Sequence, residues 1–196
     1  IGLWIGIAAL LPAVVLAQSD PAAQAARQWR HQHERAIFEE LVALLSIPNV
    51  TGDRENIQRS AALIVRMMEK RGLAARLVSA PGANPLVFGE LRTPGATRTI
   101  VFYAHYDGQP IDPAEWATPA FEPVLRDRPI EDGGAVIPLA SAARSIAPES
   151  RLYARSAADD KAPSVALMTA LDAIRAAGLK TRSNIKFVFD GEEEAG

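Results

Sequence analysis

The strongest constraint on this chain is an alternation: segments with helical apolar spacing are interleaved with short β-branched apolar runs, and two of those runs lead directly into ionisable residues. Asp20 has the character of an N-cap, with Pro21 at the first helical position, and Ile37, Phe38, Leu41, Val42 and Leu45 recur at helical spacing up to about Ser46. The breaker run SIPNVTGD follows, and a second helix is expected from about Glu55 to Arg71, closed by Gly72. Strand-like runs then occupy Ala74–Val78, Pro85–Leu91 and Arg98–Ala104, the last two separated by the turn TPGA, and are expected to pair in one sheet. A long Pro-, Gly- and Ala-rich connection from about Ile111 to Arg151 precedes a helix from about Pro163 to Ala177, stopped by Gly178, and a last β-rich run, Asn184–Phe189. This interleaving predicts an α/β fold, a mainly parallel mixed sheet sandwiched by helices.

With 196 residues, 48% of them hydrophobic and 22% charged, the chain has enough apolar material for one domain with a real core. A net charge of -2 provides no broad basic field, which argues against nucleic acid as a partner. There is no cysteine, so disulfides, thiolate metal sites and a cysteine nucleophile are excluded, and any metal must be held by His and carboxylates. The charge-free run Ile1–Ala17 ends in Val15-Leu16-Ala17 before the polar Gln18, which reads as a signal peptide over residues 1–17 and implies a periplasmic or secreted protein. The competing reading is a membrane anchor, but the run is shorter than the roughly 20 residues a spanning helix needs and contains Pro12. The first residue is Ile rather than Met and no basic segment precedes the run, so a start is expected to be missing and the sequence to be a fragment.

Three segments place ionisable groups at strand ends or glycine-marked turns, where α/β proteins put their chemistry. In YAHYDG, His105 and Asp107 project to the same side at period two, and Asp107 is placed to accept from the second nitrogen of a metal-bound imidazole. By itself such a pair is more often a surface feature. In RSAADDKAP, the adjacent carboxylates Asp159 and Asp160 precede a helix; they are either caps favoured by the macrodipole or a bridge between two divalent cations. In FVFDGEEEAG an apolar strand runs into Glu192, Glu193 and Glu194, either a solvated acidic run or a metal ligand beside a general base.

Taken together and in this order, SIPNVTGD, VFYAHYDGQPIDPAEWATPAFEPVLRD, LYARSAADDKAP and FVFDGEEEAG resemble the family of carnosine dipeptidases, glutamate carboxypeptidase, acetylornithine deacetylase and succinyl-diaminopimelate desuccinylase. The DGQPIDPAEWATPAFEP tract is most similar to the dipeptidase branch. The resemblance implies a dinuclear zinc metallopeptidase that hydrolyses an amide bond in dipeptides or small peptides with a two-zinc-activated water. It implies His105 as a ligand of one zinc, Asp107 as its orienting carboxylate, Asp159 as the bridge, Glu193 as general base and Glu194 as a ligand of the second zinc. A cis peptide at Asp159-Asp160 is implied as well, with Asp160 and Lys161 in supporting positions. Manganese or cobalt also suits an oxygen-rich site with one early histidine.

The chain departs from the family pattern in three places. Ala154-Arg155-Ser156 stands where Gly-Arg-Gly is usual, Ala162 stands where a glycine follows the lysine, and the link from Arg126 to Arg151 is longer than expected. The family's further aspartate and distant histidine ligands, and its lid and dimerisation domain, have no counterpart before Gly196. The expectation is therefore an inactive fragment of a peptidase that is a homodimer at full length, with a non-catalytic binding module or an N-acyl amino acid deacylase as alternative readings. His31 and His33, among Gln, Arg and Glu on the first helix, are assigned no role.

Overall fold

A computed structural model describes residues 20–139 and 146–195. The apolar run read as a signal peptide lies outside the described residues, as does part of the Arg126–Arg151 connection. Among the described residues no helix is long and apolar enough to cross a membrane.

Helix α1 spans Pro21–Leu45, capped by the Asp20 carboxylate, which accepts from the amide of Ala22 at 2.9 Å. Helix α2 spans Arg54–Lys70; Asp53 caps it and accepts from the amide of Asn56 at 3.2 Å. Strands β1 (Ala74–Val78), β2 (Leu86–Leu91) and β3 (Thr99–His105) follow. Three short strands then interrupt the long connection: β4 (Val124–Arg126), β5 (Val136–Ile137) and β6 (Arg151–Tyr153). Helix α3 (Ala162–Ala176) and strand β7 (Asn184–Asp190) complete the order.

The main sheet runs β1-β2-β7-β3 and is mixed, as expected for an α/β fold. Within it β1 with β2 and β2 with β7 are antiparallel, and only β3 with β7 is parallel, so the sheet is less parallel than anticipated. The reason is connection length: the seven residues between β1 and β2 permit a hairpin-like return, whereas the β3-to-β7 crossover carries α3. The second sheet, β5-β4-β6, was not anticipated, because strands of two or three residues are too short to establish a period-two signature.

Side chains of all three helices enter a single core with the main sheet. Leu44, Ile57, Ile64, Met68, Val165 and Met168 pack with Val87, Ile185, Phe187 and Phe189. Strand β7 buries alternate residues, Ile185, Phe187 and Phe189, which marks one face of the sheet as the helix-covered face. The opposite face is polar where β1, β2 and β7 meet. Phe88 there lies under the Arg76 guanidinium at 4.3 Å, and Lys186 pairs with Glu90 at 3.8 Å. The expected sandwich is thus a helical layer on one face among the described residues.

The helices are tied to one another by a buried cation. Arg71, 6% exposed just after α2, donates to Glu40 of α1 at 2.6 Å and to Asp172 of α3 at 2.7 Å. Removing one partner of such a pair leaves the others desolvated and uncompensated. Arg71→Ala is expected to lower unfolding free energy by about 3–5 kcal/mol, read from urea denaturation.

Candidate metal centre

The parallel pairing of β3 with β7 sets His105 opposite Asp190, so both strands end at the same edge and their following turns leave side by side. One turn carries Tyr106 and Asp107; the other carries Gly191 to Glu194. A Cβ at Gly191 would collide with the ring and hydroxyl of Tyr106, which itself donates to the carbonyl of Pro85. Glycine is therefore required for the two turns to lie this close.

Asp107 is fully buried and joins the two turns. Its Oδ2 accepts from the amide of Glu194 at 3.0 Å and from the Thr51 hydroxyl at 2.7 Å. Its Oδ1 lies 3.3 Å from His105 Nδ1 without hydrogen-bond alignment, and both atoms are buried with no other partner. On the far side of the ring, His105 Nε2 is 2.8 Å from Asp159 Oδ1 and 3.8 Å from Glu193 Oε2. Ligand-type atoms of His105, Asp159 and Glu194 all fall within 4.8 Å of one another. Gln109 donates to Glu194 Oε2 at 2.6 Å.

Asp159 reaches the cluster from a segment that leaves β6. Ser156 holds φ 61° there, the left-handed region that favours glycine, where the family pattern has glycine. Its hydroxyl accepts from Asn49 Nδ2 at 2.9 Å. A Cβ at Gly108 would fall 2.5 Å from the same hydroxyl oxygen, so Ser156 is packed directly onto the turn after His105. Ala162, the other departure, has φ −66° and ψ −44°, ordinary right-handed helix that needs no glycine. The Asp159-Asp160 peptide is cis, as the resemblance implies. Lys161 is fully buried and donates to the carbonyls of Leu44 at 2.9 Å and Ile47 at 3.0 Å, holding this segment against the end of α1. Burial pushes its ammonium down to about 7.

All five residues singled out as ligands, base or orienting group, His105, Asp107, Asp159, Glu193 and Glu194, thus converge on one strand-end pocket. Asp160 supports from behind, with its Oδ2 3.3 Å from the amide of His105. His31 and His33 lie away on α1, His33 stacked on Trp29 at 4.1 Å. Sequence reading missed Asn49, Thr51, Asn84 and Gln109. They carry no charge and sit up to 107 residues from their partners, so spacing gives no signal for them; Asn49 and Thr51 fell inside SIPNVTGD and Gln109 inside the DGQPIDPAEW tract, but none was singled out.

The donor set suits a divalent cation. A single imidazole faces several carboxylates, and like charges this close are relieved by a cation between them. Two atoms ligating one zinc ion at about 2.0–2.2 Å sit about 3.3–3.6 Å apart in tetrahedral geometry. A small outward shift of the Asp159 side chain, 81% exposed, opens that space beside His105 Nε2. Burial pulls the His105 imidazole down, but the hydrogen bond to Asp159 and the charges of Asp107, Glu193 and Asp159 outweigh it and hold its pKa above the ordinary 6.5.

The chain is 34% identical over 113 residues to the Beta-Ala-His dipeptidase of Homo sapiens, an alignment covering 57% of this chain and 18% of that protein. It is 25% identical over 164 residues to the Cys-Gly metallodipeptidase dug1 of Schizosaccharomyces pombe, covering 78% and 30% of the two chains. Its fold superimposes on the di-peptidase Dug1p of Saccharomyces cerevisiae with a TM-score of 0.69 at 22% identity, covering 88% of this chain and 35% of the other. The chain therefore spans about a third or less of the length of these relatives. Residues 101–196, the stretch that holds the whole cluster from His105 to Glu194, match the model of peptidase family M20/M25/M40.

Proposed function

We propose that this chain carries the first part of a two-zinc centre that hydrolyses the amide bond of dipeptides or similarly small peptides. The observation that supports this most is the convergence of His105, Asp159 and Glu194 ligand atoms within 4.8 Å, with Glu193 beside them. His105, Glu194 and, between them, the Asp159 carboxylate would hold the cations. When bound, the cations polarise the scissile carbonyl and make water a competent nucleophile near neutral pH. Glu193, 46% exposed and so open to solvent on one side, takes the proton from the attacking water and returns it to the leaving amine. Asp107 would accept a hydrogen bond from His105 Nδ1–H, which would leave the Nε2 lone pair free to ligate.

Relatives named for Beta-Ala-His and Cys-Gly hydrolysis support a dipeptide-sized substrate. The apolar run at residues 1–17 supports export to the periplasm or medium, and the full-length protein is read as a homodimer. Three protein ligands, the candidates among the described residues, underhold two zinc ions, so the 196-residue chain alone is expected to bind zinc weakly and turn over little substrate.

Glu193→Gln in the full-length protein is expected to lower kcat by about 10²–10⁴-fold while zinc content stays near that of the parent. His105→Ala and Asp159→Ala are expected to lose zinc itself, as measured by metal analysis after desalting. Equal metal loss in all three variants contradicts the division of roles.

Zinc binding should also depend on pH in a definite direction. Only the neutral imidazole ligates, and the pKa of His105 in the metal-free chain is raised above 6.5, so protons compete with zinc even close to neutrality. Zinc affinity is expected to fall about tenfold per pH unit below that pKa and to level off above it, read by competition with a chromophoric chelator. A flat profile across this range contradicts His105 as a ligand.

A further inference from the structure

We infer that Thr51 is a positioning residue of the metal centre, acting through Asp107. This rests on the reading of His105 as a zinc ligand.

Thr51 is fixed at three points. Its amide donates to the carbonyl of Gly108 at 3.1 Å, its carbonyl accepts from Asn84 Nδ2 at 2.8 Å, and its hydroxyl donates to Asp107 Oδ2 at 2.7 Å. The hydroxyl has one proton and a second acceptor in reach, the Gly108 carbonyl at 3.3 Å; the shorter, charge-assisted bond to the carboxylate takes it. Asn84 also donates to the carbonyl of Gly191 at 2.9 Å, so the backbone that carries the Thr51 hydroxyl is tied to the glutamate turn as well.

The consequence lies in the carboxylate. Asp107 is fully buried, and Oδ2 accepts from both Thr51 and the Glu194 amide. With Oδ2 pinned from two directions the carboxylate cannot rotate, and Oδ1 is left facing His105 Nδ1 at 3.3 Å. As the nearest acceptor to Nδ1, it favours the proton there once a cation is bound at Nε2, the nitrogen that faces Asp159 and Glu193. Without the hydroxyl, only the Glu194 amide restrains Oδ2, and the carboxylate is free to turn about it. Imidazole orientation and the glutamate turn then loosen together, because both hang on the same carboxylate.

The test uses zinc itself as probe, on the full-length protein. Thr51→Val keeps the shape and removes the donor; Thr51→Ser keeps the donor and removes a methyl. Thr51→Val is expected to weaken zinc binding about tenfold, the lower end of the effect of losing an outer partner of a ligand, with Thr51→Ser within about twofold of the parent. Thr51→Ala, which removes the same hydroxyl, carries the same expectation and serves if the valine variant does not fold. Parent-like zinc affinity in a folded Thr51→Val or Thr51→Ala overturns the inference. So does equal weakening in the serine variant, which marks packing rather than the hydroxyl as the cause. A parent protein that binds no zinc defeats the proposed function instead.

Discussion

The parallel register of β3 on β7 is the constraint from which the rest of the site follows. His105 opposite Asp190 means that two turns far apart in sequence leave the sheet at one edge and in one direction. In a strand pair this register is not freely adjustable, since a slip by one residue would turn Phe187 and Phe189 out of the core. Hydrophobic burial, which has no interest in chemistry, thus fixes where the imidazole and the glutamates meet. Burying Phe187 and Phe189 stabilises the fold by about 1.5–3 kcal/mol each, at least as much as any single polar contact at the edge contributes.

Onto that edge the chain adds a frame of buried polar groups. Asp107 joins the two turns, Asn49 donates to the carbonyl of Tyr106 at 2.8 Å and to the Ser156 hydroxyl at 2.9 Å, and Lys161 holds the Asp159 segment to the end of α1. A partly satisfied buried network costs more than an apolar one, so each of these groups must keep its partners. The two glycine departures fit inside the frame. Ser156 accepts left-handed geometry at a cost of about 1–2 kcal/mol and recovers part of it through Asn49, while Ala162 occupies helical backbone where no glycine is needed.

Much of this was legible in the residues. Helix limits were given by Asp20 and Gly72, whose capping and turn chemistry is local, and β7 was given by its β-rich apolar run. The ionisable members of the site stood out because each ends a strand or opens a turn. What escaped is non-local. Sheet order depends on pairing across the chain, the strands β4 to β6 are too short for periodicity, and a neutral Thr51 that bonds a residue 56 positions away leaves no mark on the sequence around it. The helical layer on one face also escaped, because an apolar strand reads alike whether one or both of its faces are covered.

The most direct test of the central claim is a zinc-loaded crystal of the full-length protein measured at the zinc absorption edge. The account predicts anomalous density about 2.0–2.2 Å from His105 Nε2 and from carboxylate oxygens of Asp159 and Glu194, with Asp107 behind the imidazole and Glu193 facing the ions without ligating them. Zinc held elsewhere, or a His105 ring with no ion at Nε2 in protein that retains stoichiometric zinc, would contradict it.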